Sequence, residues 1–305
     1  MSSQLSTVKE KAIIGSATDK ARGIINSLDV TEATRRDYLY RIPLFIDYIK
    51  KHGISFNTFL EYKRLLEKRT DIKIATKNKY LQTARTFLKE LNRQGLLPAD
   101  ITANISGWTQ DKKHKKDGLN SKEVKAVVEK LRELPENAKN TRLKAIVSLL
   151  AFQGLRQIEI TRLDVEDIDI KNNTALIQGK GKSDKELIHL HPETTKTIAE
   201  HIRVNKVGSG ALFKSLGNRH SDRITTMTIK REIQEALTPL GIEKSTHGFR
   251  HYYITTLLKK LDVRDVRKFS RHSNLEMLIV YDDELDIKNK TGKVFNLFQG
   301  LSLSV

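Results

Sequence analysis

The chain has 305 residues and carries 55 Lys and Arg against 37 Asp and Glu, a formal net charge of +18. This length allows two domains with separate cores, and the basic surplus favours a polyanionic partner, most simply nucleic acid, over a merely charged soluble surface. The absence of Cys and of any apolar run near the roughly 18 residues of a spanning helix predicts a cytoplasmic protein without membrane contact, disulfides or Cys-based metal sites.

The first part of the chain predicts a small all-helical domain over residues 31–108. Residues 1–30 show weak periodicity and are predicted to form an N-terminal tail or a short helix. The first clear helix has an apolar stripe at helical spacing, and Pro43 inside it predicts a kink or a restart. The stripe consists of Tyr38, Ile42, Phe45 and Ile49.

Two more helices complete this predicted domain. The T-x-x-E pattern from Thr58 to Glu61 predicts a capping box at the start of the first helix. The second helix starts near Thr76 and is expected to end before Gly95. The polar faces carry many basic side chains, which form either a solvated surface or a clamp over DNA phosphates. On the last helix these are Lys77, Lys79, Arg85 and Lys89.

A lysine-rich stretch without periodicity, residues 109–119, predicts a linker between two domains. Lys112 and Lys113 belong to it, and a basic connector can follow a nucleic-acid backbone. An Asn-Ser pair then starts a new helix, which opens a second domain over residues 120–284.

An apolar run in the second domain, Ala145–Phe152, predicts a buried helix that ends at Gly154. From that glycine the sequence reads G-L-R-Q-I-E, which contains Arg156 and Glu159. The buried helix would hold Arg156 rigidly, either at the mouth of a site or in a surface ion pair.

Three strand-like segments follow, joined by an Asn-Asn turn and a Gly-Lys-Gly-Lys turn. Lys180 lies in the second turn, near a hairpin tip from which it could reach into a groove; Lys182 and Lys185 are competing candidates. The predicted strands are Val165–Ile170, Thr174–Gln178 and Leu187–Leu190.

The stretch from residue 245 to residue 281 holds two clusters of phosphate-seeking side chains. His247 and Arg250, three positions apart, share one face of a helix for which Thr246 is a candidate cap.

A second short helix is predicted over residues 263–269, followed by Arg271 and His272. An S-x-x-E pattern directly after His272 predicts a capping box for a third helix. This helix ends at Tyr281, nine positions beyond His272.

This ordered set, G-L-R-x-x-E, then H-x-x-R, then R-H and a tyrosine, resembles the signature of the tyrosine recombinase family of phage integrases, Xer and Cre proteins. The resemblance implies a mostly α fold with a small antiparallel β-sheet. A helical, SAM-like core-binding domain and a mixed α+β catalytic domain would form a C-shaped clamp on DNA. The K-N-K-Y sequence at residues 77–80, with Arg85, resembles the DNA-facing helix of the first domain.

The resemblance also implies a site-specific recombinase that cuts and rejoins DNA through a 3′-phosphotyrosine ester and a Holliday junction. The tyrosine would be the nucleophile, the arginines would stabilise charge, the histidines would position groups and move protons, and the lysine would be the general acid. The implied catalytic residues are Tyr281, Arg156, Arg250, His247, His272 and Lys180, supported by Glu159. Because the ester stores the bond energy, neither ATP nor a metal or other cofactor is expected.

The expected partner is double-stranded DNA with paired half-sites, bound by a tetramer that is a monomer when free. The apolar tail, residues 285–305, is expected to pack on a neighbouring subunit. The predicted DNA contacts are Lys77, Lys79, Arg85, Lys112, Lys113, Lys182 and Arg271.

The chain departs from the family pattern where Ser270-Arg271-His272 replaces the usual L-G-H, which favours a mobile-element integrase over a chromosomal Xer protein. Two alternatives stay open: a non-catalytic, architectural DNA-binding protein on the same fold, and a type IB topoisomerase-like enzyme. Neighbouring histidines occur at residues 189 and 191 and at residues 247 and 251, but few carboxylates lie near them and no Cys supports them, so no metal site is predicted.

Overall fold

The computed structural model describes residues 17–110, 118–179, 181–217, 223–272, 274–275 and 278. The chain divides into two compact units, Met1–Asp111 and Lys112–Val305, and the division falls inside the lysine-rich stretch. The described residues are mostly helical and include a small three-stranded antiparallel sheet, the fold class that the sequence predicts. Among them, no helix combines the length and the apolar character needed to cross a membrane.

The described helices of the first unit surround one apolar core. An aromatic cluster lies inside it: the ring of Phe45 is 4.8 Å from that of Tyr62 and 6.2 Å from that of Phe87, both edge-on. Each buried ring of this kind contributes about 1.5–3 kcal/mol through the hydrophobic effect. The helices are α1 (Ala17–Asn26), α2 (Glu32–His52), α3 (Thr58–Lys68) and α4 (Ile74–Arg93).

Helix α1 lies within the predicted N-terminal tail and belongs to the core of the first unit. Ala21, Ile24 and Ile25 form a short apolar stripe, and Ile25 is fully buried. The hydroxyl of Ser27 binds the carboxylate of Glu90 on α4 at 3.4 Å. The compact part of this unit therefore starts before residue 31, because a short stripe suffices when a larger core is there to receive it.

Two local expectations in this unit were wrong. Of the kink or restart predicted at Pro43, the restart does not occur: helix α2 continues through the proline, around which Ile42, Phe45 and Ile46 are buried in the core. Thr58 does not form a capping box, because its hydroxyl turns back and accepts the backbone N–H of Ser55 at 2.7 Å.

The second unit is built around α6, which is buried on almost every side. This helix contacts α8, α9 and α10, so its apolar residues are enclosed by other helices, as expected for a helix without a polar face. Asn120 caps α5 through a complete capping box with Glu123. The helices are α5 (Ser121–Arg132), α6 (Ala138–Phe152), α7 (Gln157–Thr161), α8 (Pro192–Asn205), α9 (Thr226–Leu237), α10 (Thr246–Leu258) and α11 (Val263–Ser270).

The sheet has the order β1-β2-β3, with β1 at Ile168–Asp169, β2 at Thr174–Gln178 and β3 at Lys185–His189. In the antiparallel register, Thr174 pairs with His189 and Gln178 pairs with Lys185, so the second turn opens between the last pair. The first strand is shorter than predicted, because Val165–Asp167 forms a 3-10 turn in which Asp167 accepts the backbone N–H of Asp164 at 3.0 Å.

Helix α10 has Ser245 at its N-cap position, not Thr246. The hydroxyl of Thr246 instead accepts a hydrogen bond from the side chain of Gln157 on α7. The apolar tail and most of the predicted third helix, including its capping box, lie outside the described residues. Of that helix only Asn274, Leu275 and Leu278 are described, and Leu278 is buried against α10 and α11.

Candidate active site

Arg156 stands where the chain leaves the buried helix α6. Gly154 adopts φ +58°, and a Cβ at this position would clash with the ring of Tyr253. This position therefore requires glycine for two independent reasons. The tight turn places Arg156 directly before α7, so the rigidity of α6 is passed to it within a few residues.

Glu159 fixes both the backbone and the side chain of Arg156. One carboxylate oxygen accepts the backbone N–H of Arg156 at 2.8 Å, and the other accepts its guanidinium, also at 2.8 Å. The side chain of Glu159 is fully buried, whereas that of Arg156 is 29% exposed. Glu159 thus holds Arg156 on its buried side, and the exposed side of Arg156 faces a cleft.

A second guanidinium reaches the same carboxylate. Arg271, at the end of α11, donates to Glu159 at 3.3 Å. Burial raises the pKa of Glu159, but the charge of Arg271 and the contacts from Arg156 outweigh burial and hold that pKa below its ordinary value. The carboxylate is therefore ionised at neutral pH, as its two basic partners require.

Arg250 is the most enclosed charged group of the site, with 1% of its surface exposed. It lies on α10 and donates to the carbonyl of Gly154 at 2.5 Å and to that of Ser270 at 2.5 Å. These two bonds join the end of α6 to the end of α11 and orient the guanidinium. A planar fork held in this way matches the oxygens of a phosphate or carboxylate.

His272 follows α11 and is buried beside Arg250. Its Nδ1 lies 2.7 Å from the hydroxyl of Ser270, and its Nε2 lies 3.4 Å from a guanidinium nitrogen of Arg250. Because a guanidinium only donates, Nε2 must accept, and we assign the ring proton to Nδ1.

Burial, followed by the charge of Arg250 and those of the other nearby basic groups, lowers the pKa of His272 to about 3. The imidazole is therefore neutral at physiological pH, in agreement with the tautomer that the hydrogen bonds assign.

These groups border a cleft of about 790 Å³ in the second unit. Arg156, Glu159, Arg271 and His272 line it, and Gly179 lines it directly before Lys180. The cleft is strongly basic and open to a polyanion. Its other lining residues are Lys182, Glu186, Arg264, Arg267, Lys268 and Leu275.

The basic side of α11 was not found from the sequence. Arg264, Arg267 and Lys268 lie at i, i+3 and i+4, so they share the helix face that borders the cleft. That spacing was the available signal, but only the fold shows that the face looks into the same cleft as Arg156.

Of the remaining predicted residues of this unit, three are described by the structure and two are not. His247 is exposed on α10, one turn before Arg250, and its charge contributes to lowering the pKa of His272. Lys182 lines the cleft and binds Glu186 at 3.1 Å, whereas Lys185 is held by Asp167 at 2.5 Å. Lys180 and Tyr281 lie outside the described residues.

In the first unit, a second cleft of about 530 Å³ runs along α4 and includes Lys79. Lys77 donates to the carbonyl of Glu67 at 2.8 Å. Arg85 donates to the carbonyl of Ile105 and lies 5.2 Å over the ring of Phe59. Lys112 and Lys113, predicted to contact DNA, lie outside the described residues.

Asn78 makes a contact in this region that the sequence does not predict. Its amide donates to the carbonyl of Trp108 at 2.8 Å and accepts the backbone N–H of Trp108 at 2.9 Å. The contact spans 30 positions, so no local pattern announces it.

No group of three His, Asp or Glu side chains among the described residues could hold a metal ion. The described site instead offers two oriented guanidinium groups and a neutral imidazole, beside a cleft lined by further cations. Such an arrangement can bind a phosphate diester and stabilise added negative charge on its oxygens.

Comparison with known proteins connects this site to one family. Residues 118–286 match the model of the phage integrase family. The chain is 28% identical over 217 residues to the tyrosine recombinase XerC of Lactobacillus delbrueckii subsp. bulgaricus, which covers 68% of this chain and 71% of that protein. It is 25% identical over 255 residues to XerA of Pyrococcus horikoshii, which covers 78% and 86%.

Solved structures share the fold. The XerH site-specific recombinase bound to palindromic difH substrate, in a post-cleavage complex, aligns with a TM-score of 0.71 and 17% identity over 96% of this chain and 99% of that one. The Tn1549 transposon integrase in complex with transposon right end DNA aligns with a TM-score of 0.70 and 13% identity over 92% and 99%. The matched family region spans more than half of the chain and contains every described residue of the cleft, and the chain therefore belongs to the phage integrase family.

Proposed function

We propose that this protein is a site-specific tyrosine recombinase that breaks and rejoins double-stranded DNA. The observation that carries the proposal is that Arg156 and His272 line one basic cleft, with Glu159 fixing the first and Arg250 buried against the second. The family match and the recombinase relatives support the same function.

The two arginines bind the non-bridging oxygens of the scissile phosphate. Five-coordinate phosphorus carries more negative charge on these oxygens than the diester does, so fixed guanidinium groups favour the transition state over the ground state. Neutral His272 accepts a hydrogen bond from Arg250 through Nε2 and so helps to orient that guanidinium, and His247 stands near it for positioning or proton transfer.

Tyr281 is the nucleophile and Lys180 the general acid, as the family resemblance implies. The phenol of Tyr281 gives up its proton to a neighbouring base, for which His247 is the candidate, and its oxygen forms a bond to phosphorus. The bond to the 5′ oxygen breaks, and Lys180 gives that oxygen a proton. A 5′ hydroxyl of another strand later attacks the phosphotyrosine and releases the tyrosine. One phosphoester replaces another at each step, so no ATP is needed, and the guanidinium groups supply the charge stabilisation that a metal would otherwise give.

DNA binding uses both units. DNA phosphates are neutralised by Lys79, which lines the cleft of the first unit, and by Lys182, which lines the cleft of the second. The other predicted contacts, Lys77, Lys112 and Lys113, act in the same way. Arg85 lines the same cleft as Lys79 and also donates to the carbonyl of Ile105, so it both holds α4 in place and faces the bound phosphates.

The protein acts in the cytoplasm as a tetramer on paired half-sites, with the tail at residues 285–305 packing on a neighbouring subunit. The replacement of the family's usual glycine by Arg271 supports a mobile-element integrase over a chromosomal Xer protein.

A nicked suicide duplex tests the function. The cognate site is first selected from fragments of genomic DNA, and a nick beside the cleavage position lets the 5′ fragment diffuse away, so the protein–DNA ester accumulates. Tyr281→Phe should abolish the adduct because it removes the attacking oxygen. The matched control is Tyr40→Phe, at a tyrosine that is 75% exposed on the first unit.

Three outcomes would contradict the proposal. An adduct that persists in Tyr281→Phe means that another residue is the nucleophile, and wild-type protein that binds the site without any adduct indicates an architectural DNA-binding protein. Relaxation of a supercoiled plasmid without exchange between two labelled duplexes would indicate a topoisomerase.

A further inference from the structure

Arg271 has a backbone conformation that ordinarily favours glycine. It ends α11 with φ 55° and ψ 41°, in the left-handed region, and its N–H binds the carbonyls of Arg267 and Lys268. The helix could therefore end equally well, and with less strain, on a glycine. The presence of an arginine here must therefore be explained by the contacts of its side chain.

The side chain of Arg271 is directed into the protein. It is 7% exposed, its two terminal nitrogens donate to Phe269 O at 3.1 Å and to Glu159 at 3.3 Å, and its Nε is buried without a hydrogen-bond partner among the described residues. Arg156, by contrast, keeps 29% of its side chain exposed on the side that faces the cleft.

The contact with Glu159 joins two distant parts of the chain. Arg271 and Glu159 are 112 positions apart, and Glu159 in turn receives the backbone and the guanidinium of Arg156. One carboxylate oxygen is shared by Arg271 and the backbone of Arg156, so the direction of the carboxylate depends on both ends. The three residues form a relay, Arg271–Glu159–Arg156, that ends at the cleft.

We propose that Arg271 is a positioning residue for strand cleavage: it holds Glu159 in the orientation that aims Arg156 at the scissile phosphate. The inference rests on the proposed function. It assigns to this chain a third guanidinium that acts through a carboxylate, and it replaces the DNA contact predicted from the sequence.

The test separates binding from chemistry. Single-turnover cleavage of the suicide duplex is measured at saturating protein, and Kd for the same duplex is measured across a salt series. Arg271→Gly should lower the cleavage rate about 10- to 100-fold, the scale of a misplaced catalytic group. Its Kd should stay within about twofold and the salt slope should not change, because no phosphate contact is lost.

Three further variants sharpen the result. Arg271→Lys keeps a cation near Glu159 and should recover part of the lost rate. In a Glu159→Gln background, Arg271→Gly should cost no more than about twofold, because a residue that acts through a partner has little effect once the partner is gone. Lys206→Gly is the matched control: Lys206 also ends a helix with positive φ, but is exposed, and the variant should cleave like wild type.

Each other outcome overturns the inference. A weaker Kd with a salt slope reduced by about one, and an unchanged rate at saturation, would make Arg271 a phosphate contact. Losses that multiply in the double variant would show that Arg271 does not act through Glu159. If Arg271→Gly does not fold, the Arg271→Lys variant decides. A wild-type cleavage rate would contradict the relay because the guanidinium fork would be dispensable. No adduct at a wild-type Kd would contradict it because a positive charge beside Glu159 would not be enough. Wild-type protein that forms no adduct would defeat the proposed function instead.

Discussion

At the residue scale, the site depends on groups whose neighbours decide their charge. Glu159 is ionised although it is buried, because Arg271 and Arg156 outweigh the effect of burial on its pKa. His272 is neutral because burial, and after it the charge of Arg250, lowers its pKa. The sequence motif names both residues. It does not reveal their environment, because Arg250 reaches His272 only after α10 and α11 have packed together.

The lowered pKa of His272 predicts how stability depends on pH. In the unfolded chain this ring binds a proton near its ordinary pKa of about 6.5, whereas in the folded protein its pKa is about 3. Between these values the unfolded state holds more protons, so the free energy of unfolding should fall as the pH is lowered from about 6.5 towards 3.

The measurement is the difference in unfolding free energy between wild type and His272→Asn, followed by urea titration across that pH window. The advantage of wild type should shrink steadily as the pH falls. The control His189→Asn removes an exposed histidine of β3 and should track wild type. A wild-type advantage that is constant between pH 6.5 and pH 4 would mean that the imidazole is charged in the folded state.

At the element scale, apolar patterns in the sequence predict the helices well, whereas polar patterns predict the helix caps poorly. The stripe through Ile42, Phe45 and Ile49 gives α2, and it also overrides Pro43, since a proline removes one backbone bond while the core holds the whole face. The pattern at Thr58 misleads because the hydroxyl has a competing acceptor role towards Ser55. A polar side chain near a helix end can form several different hydrogen bonds, whereas an apolar stripe can be buried on only one face of its helix.

The helix α6 positions Arg156, and a buried ion pair anchors that helix. Arg142 on α6 binds Glu232 on α9, both 3% exposed, and also donates to the carbonyl of Lys214 at 2.7 Å. Removing one partner would leave a buried charge uncompensated, so Glu232→Ala should cost about 3–5 kcal/mol of unfolding free energy. Urea unfolding followed by circular dichroism measures this loss.

The same two helices provide the control. Lys139 and Glu235 form an exposed pair at 3.0 Å between α6 and α9, and Glu235→Ala should cost no more than about 1 kcal/mol. Equal losses for Glu232→Ala and Glu235→Ala would show that the buried pair does not hold α6 in place.

At the scale of the whole molecule, composition and motif order predict more than contacts do. A charge of +18, a basic linker and a fixed order of Arg, Lys, His and Tyr point to a DNA-acting enzyme with two domains. The basic face of α11 and the link from Asn78 to Trp108 could not be predicted, because they depend on segments that meet only in the folded chain. The relay from Arg271 through Glu159 to Arg156 could not be predicted for the same reason, because Arg271 and Glu159 are 112 positions apart.

In the proposed reaction, Arg156 stabilises the charge of a single scissile phosphate. A methylphosphonate at that phosphate removes the charge from one non-bridging oxygen, and so removes the need for part of the stabilisation. The decisive measurement compares single-turnover cleavage by Arg156→Ala on the phosphodiester and on the methylphosphonate duplex, with Arg203→Ala, from an exposed ion pair on α8, as the control.

On the phosphodiester we expect Arg156→Ala to lose about 100- to 1,000-fold in rate, the cost of removing a donor that stabilises a developing oxyanion. On the methylphosphonate duplex the loss should shrink to about tenfold or less, while Arg203→Ala cleaves both substrates like wild type. An equal loss on the two duplexes would contradict the account, because Arg156 would then act on something other than the charge of the phosphate.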